Sequence, residues 1–178
     1  MKNTLFAFFG AVALAAVVGC GGPKKPADLP DLYPVKITVI QDGKPLEGAS
    51  VMLNDPELKV RFTMGGKTNA QGVAEIKTDA QFPGAPVGKF KVTVAKEDVP
   101  ELPPELQGAQ PTDPTERAEF DRKLAEHSAS ICDTVDLKFK RMNTTPEEVE
   151  VTTSGAEKTV DVGERVDVPF SESRGSSS

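Results

Sequence analysis

From residue 35 onward, apolar and polar side chains alternate in short runs separated by turn residues. Val35, Ile37 and Val39 share one face of the first run, and Ala49, Val51 and Leu53 share one face of the second. Leu58, Val60, Phe62 and Met64 continue the pattern, followed by Ala74 with Ile76, and then by Phe90, Val92 and Val94. A period of two places alternate side chains on one side of an extended chain, so each run predicts a half-buried strand. Asp42-Gly43 is a two-residue hairpin signal, and Gly65-Gly66 with "TNAQG" predicts the next turn. Strand signals return in "EEVEVTTSG", "KTVDVG" and "RVDVPF". Many short strands at this spacing predict an all-β, antiparallel sandwich over residues 35–170.

The period changes once. "KEDVPELPPELQGAQP" is proline-rich and polar and reads as a loop. It leads into "TDPTERAEFDRKLAEHS", where Asp113 suits an N-cap, Pro114 the first helical position, and Glu116 a capping-box partner. A helix over 114–127 follows, with only a narrow stripe of Phe120 and Leu124 available for packing. It sits in a loop–helix insertion spanning 96–130. The final serine-rich residues, 171–178, read as a disordered tail.

The N-terminus follows a different logic. Lys2 precedes the apolar run "TLFAFFGAVALAAVV", the layout of a secretory signal peptide over residues 1–19. The run is too short and alanine-rich to be read first as a membrane span. It ends Val17-Val18-Gly19-Cys20, which resembles the lipobox of bacterial lipoproteins. The resemblance implies that the Cys20 thiol takes up a diacylglyceryl group and that cleavage just before it makes Cys20 the first residue. Stable anchoring takes two signals, which a diacyl group provides. Gly21 follows, in place of the aspartate that retains many such proteins at the inner membrane. The expected location is therefore the cell envelope, at the outer membrane where a cell has two. The Gly/Pro-rich stretch 20–34 reads as an extended tether. With Cys20 consumed, the only other cysteine, Cys132, has no partner in the chain, and burial as a small apolar residue is expected.

Within the sandwich, "VKITVIQDGKPLEGASV", "TNAQGVAEI" and "GAPVGKFKVTV" resemble the carboxypeptidase regulatory-like domain, with "DGKPLEGASV" the most specific match. That resemblance implies a Greek-key, transthyretin-like or immunoglobulin-like β-sandwich with one inserted helix. It covers residues 35–95 and breaks at the insertion. The metallopeptidase for which the family is named needs two zinc-binding histidines, whereas this chain has one, His127. The resemblance is therefore to the accessory domain and carries no catalysis.

Composition narrows the remaining chemistry. A formal net charge of −6 is a poor match for nucleic acid, and for anionic lipid without a further device. "GGKT" (residues 65–68) lacks the earlier glycine of a phosphate loop, since Arg61 stands at that position, and a hairpin is the better reading. Asp55, Asp79 and "TNAQG" offer too few carboxylates for calcium. A triad of His127 with Ser128 or Ser130 would need near neighbours on one helix to face each other. A lysine–asparagine crosslink among Lys36, Lys91, Asn54 and Asn143 has nothing in the sequence to select it. No cofactor, metal or catalytic residue is expected. The chain reads as a non-catalytic, lipid-anchored binding or structural module, with membrane lipid as one partner and an envelope protein or polysaccharide as another. Polysaccharide binding is the runner-up, disfavoured by zero Trp and one Tyr, and a hydrolase is the distant alternative.

Overall fold

The computed structural model describes residues 25–57 and 59–169 of the 178-residue chain. It is an all-β sandwich with one long inserted helix. The first strand, β1 (Val35–Gln41), alternates buried and accessible side chains as its sequence predicts, with Ile37 and Val39 fully buried. Asp42 and Gly43 both adopt positive φ (53° and 71°), which turns β1 tightly onto β2 (Lys44–Pro45). Two positive-φ residues match the right-handed twist of the flanking strands, and this is why Asp-Gly marks such hairpins.

β3 (Ser50–Asn54) pairs with both β4 (Met64–Lys67) and β8 (Gly88–Ala95). Two expectations fail around β4. The Gly65-Gly66 pair is not a turn but lies inside the strand, opposite Met52 and Val51. A Cβ on Gly66 would sit 2.4 Å from the Glu75 carbonyl oxygen, and one on Gly65 would meet the Met52 sulfur at 2.5 Å. Glycine here permits close approach rather than reversal. The strand expected from Leu58 begins only at Met64, and residues 59–63 lie outside any strand. The Asp55 carboxylate takes the backbone N–H groups of Glu57, Lys59 and Val60, so the segment closes on itself instead of joining a ladder.

β5 (Val73–Glu75) pairs with β1, whereas β6 (Lys77–Thr78) pairs with β4 and with β7 (Phe82–Pro83). The chain therefore changes sheets at buried Ile76, whose N–H donates to Val35 and whose carbonyl accepts from Gly84. At the far end of the sequence, β11 (Glu148–Val151) pairs with β8, and β12 (Ala156–Asp161) pairs with β1. The β1–β12 pairing is parallel, the exception to the expected antiparallel pattern. The two sheets enclose one core that includes Ile37, Val51, Phe90, Val92, Val94 and Val160.

A third, small sheet lies at one end. β9 (Glu97–Asp98) and β13 (Val168–Pro169) flank β10 (Cys132–Asp133). Val168 and Pro169 of "RVDVPF" thus feed this minor sheet rather than completing the main ones. Asp98 and Cys132 are directly opposite each other, so residues 99–131 form an excursion closed at its base. It contains a 3-10 turn (Pro104–Leu106) and helix α1 (Pro114–Ala129), two residues longer than expected at its C-terminus. Asp113 caps α1, accepting N–H bonds from Thr115 and Glu116. A short helix that the sequence pattern did not predict, α2 (Leu137–Lys140), carries buried Phe139 and packs on β8.

Candidate functional site

Strand direction gives the sandwich two poles. At one, the incoming chain packs before β1 begins. Leu29 is buried, its N–H closes a turn on Pro26, and Tyr33 pairs with Ala85. The last part of the expected extended tether is therefore seated on the domain. The loop after β3, the turn after β6 and the start of β8 lie at this same pole, where Thr63 N–H donates to the Asp79 carboxylate. The opposite pole holds the Asp42-Gly43 turn, the third sheet and the excursion. Gln41 there donates to the Thr134 carbonyl at 2.7 Å, and Arg165 bridges Asp98 and Asp167.

The tether pole carries a cleft of about 480 Å³ between residues 55–57, 59 and 60 and the start of β8. Pro56, Val60, Val87 and Phe90 contribute apolar surface, with Lys59 and Lys91 beside them. Its charges are largely spoken for. Burial pulls the Asp55 carboxyl upward, but the N–H groups of Val60, Glu57 and Lys59 outweigh this and leave it below its ordinary range. The hydrogen bond and charge of Lys91 lower Glu148, at 2.8 Å. Glu57 raises Lys59 through a hydrogen bond and its charge. Each acid of the cleft is thus engaged: Asp55 by its own loop, Glu57 by Lys59 and Glu148 by Lys91.

The other sequence candidates disperse. His127 is half-buried on the last turn of α1, while Ser128 and Ser130 hydroxyls donate to the Leu124 and His127 carbonyls. Both hydroxyls are thus committed to their own helix. Asn54 donates to Thr93, and Asn69 accepts from Gln71 and Val73 within its turn. "GGKT" lies on β4 and the turn that follows. Cys132 bears a free thiol but is half-buried, not buried as expected. Period-two alternation gives the inward position of β10 to Asp133 instead. Among the described residues, no group of three or more His, Cys, Asp or Glu could hold a metal ion. Nor is any helix among them long and apolar enough to cross a membrane.

Asp133 is the feature that sequence inspection missed. Its side chain is fully buried, ion-paired through Oδ1 to Lys140, and its Oδ2 has no hydrogen-bond partner. The pair ties β10 to α2, and so ties the base of the excursion to the sandwich. A seven-residue separation across a turn gives no sequence signal for such a contact.

The lipobox residues Val17, Val18 and Gly19, and the lipidation candidate Cys20, lie outside the described residues, as does the 171–178 tail. The chain matches no family model, no curated protein and no solved structure.

Proposed function

We propose that this chain is a lipid-anchored, non-catalytic binding or structural module of the cell envelope, held to the membrane through acylated Cys20. The observation that carries the reading is the sequence Val17-Val18-Gly19-Cys20 directly after an apolar signal segment. The sandwich is read as a carboxypeptidase regulatory-like domain on the resemblance of residues 35–95. The polar layout supports presentation of a partner surface. The chain enters the domain at one pole, and the excursion 99–131 stands at the other, so an anchor at Cys20 turns the excursion away from the bilayer. A rigid sandwich bearing a long polar excursion is a common way to build a binding surface.

Intact mass of the protein from native membranes tests the anchor: diacylglyceryl on Cys20 is expected, and its loss in Cys20→Ser should release the protein from the membrane. Mild crosslinking in the same cells, with Cys20→Ser as control, tests the module. A discrete envelope protein captured only by the acylated form supports it. Recovery of glycan alone would replace the protein partner by polysaccharide, and substrate turnover dependent on a single side chain would sink the non-catalytic reading.

A further inference from the structure

We infer that the tether pole is a membrane-resting face: loop residues 55–57 and 59–63, the turn at 79–83 and Val87 lie against the headgroup layer of the bilayer that holds the anchor. The inference rests on the Cys20 anchor proposed above. Reach is the first argument. Cys20 is five residues before Lys25, and a chain extends at most about 3.6 Å per residue, so the two are at most about 18 Å apart. The headgroup region is roughly 6 Å deep on each side of a bilayer, which leaves a gap of about 12 Å at full stretch. The chain from Pro26 to Tyr33 adds no slack, because Leu29 is buried and Tyr33 is paired to Ala85. The anchor therefore confines the domain close to the lipid and confines it by this pole.

Surface chemistry is the second argument. Val87 is 55% exposed, and the exposed Pro56 and Pro83 and half-buried Phe62 and Phe82 share its pole. Arg61 and Lys89 are exposed among them, beside Lys59, whose charge is paired with Glu57. Apolar and aromatic tips interleaved with cations suit an interface where phosphates meet acyl chains. Most acids of the same pole are engaged: Asp55 is turned onto its own loop, Asp79 accepts the Thr63 N–H, Glu57 pairs with Lys59, Glu148 with Lys91 and Asp31 with Lys25, while Asp28 is exposed. A chain of net charge −6 would not seek lipid from solution, but a tethered one needs only a weakly favourable face.

The absence of tryptophan from the chain makes a direct test available. Val87→Trp and Val99→Trp place single reporters at opposite poles, since Val99 is 56% exposed beside the Gly48 turn. Each acylated variant is reconstituted into phosphatidylethanolamine–phosphatidylglycerol vesicles with brominated acyl chains. Emission from Val87→Trp should shift to the blue and fall roughly twofold, as for a ring at the interface, while Val99→Trp stays solvent-like. Phe82→Trp provides a second reporter at the tether pole should Val87→Trp disturb the fold, which far-UV circular dichroism monitors. Solvent-like emission from both tether-pole reporters, on protein whose mass shows the acyl groups, would overturn the membrane-resting face and leave the anchor standing. Stronger quenching of Val99→Trp would invert the orientation. Protein from native membranes lacking acyl groups on Cys20 would bring down the anchor and, with it, this inference.

Discussion

The sandwich and the excursion are held together by different physics. Among the described residues, every buried hydrophobic side chain except Leu106 lies outside residues 99–131. Helix α1 buries none of its residues, and Leu124 remains 39% exposed. What holds α1 lies within the excursion: the Asp113 cap, Pro114 at its first turn, i,i+4 pairs of Arg122 with Glu126 and Glu119 with Lys123, and contacts of Lys123 with Glu105 and Asp121 with Gln110. A helix that buries none of its residues depends on such devices, each worth from a few tenths to about 1 kcal/mol. The sandwich instead depends on area removed from water, at roughly 1.5–3 kcal/mol for each fully buried aliphatic or aromatic side chain. One region should fail globally when damaged and the other only locally.

The largest expected effect is in the core. Ile37→Ala removes buried methylenes and leaves a cavity between the sheets, and should lower unfolding free energy by about 2–5 kcal/mol in urea titrations. Leu124→Ala in α1 should change it by less than about 0.5 kcal/mol. Equal losses at the two sites would break the distinction between the regions. Lys140→Met comes next. It strips the counter-charge from fully buried Asp133 and should cost about 3 kcal/mol. The pair Asp133→Leu with Lys140→Met removes both charges and should recover most of that loss. A double variant as unstable as Lys140→Met would show that packing, and not the uncompensated charge, sets the cost.

These two predictions also separate what was legible in the sequence from what was not. The alternation of Val35, Ile37 and Val39, the Asp42-Gly43 turn and the Asp113-Pro114 helix start are local patterns, and the fold obeys them. Gly65-Gly66 misled because its requirement is set by Glu75 and Met52, which reach it only through pairing. Leu58, Val60 and Phe62 alternate like a strand, but Asp55 captures the backbone donors that a ladder around Val60 would need. The Asp133–Lys140 pair and α2 carry no periodic signature. For the candidate site, the proposed anchor at Cys20 rests on a linear motif, Val17-Val18-Gly19-Cys20, whereas the two-pole layout exists only once the strands are paired.

The helix cap gives a smaller effect. Asp113→Ala should destabilise α1 by about 1 kcal/mol, visible as faster amide exchange over α1, with the global unfolding midpoint unchanged. A shift of the global midpoint by the same amount would mean that the excursion unfolds together with the sandwich.

The smallest expected effect comes from the largest change. Asp98 and Cys132 face each other across an antiparallel pair, so replacing residues 99–131 by Asn-Gly should close a two-residue hairpin there. The deleted segment contributes Leu106 alone to the buried hydrophobic residues, so sandwich stability should stay within about 0.5 kcal/mol of the full chain. Because β9, β10 and β13 remain paired at the base, Asp133 keeps Lys140 and the third sheet keeps its register. If the shortened protein retained its stability but lost crosslinking to the envelope partner proposed above, the excursion would be the binding element, carried by a scaffold that does not need it. Loss of stability by several kcal/mol would instead make the excursion part of the scaffold and return the search for a binding surface to the sandwich itself.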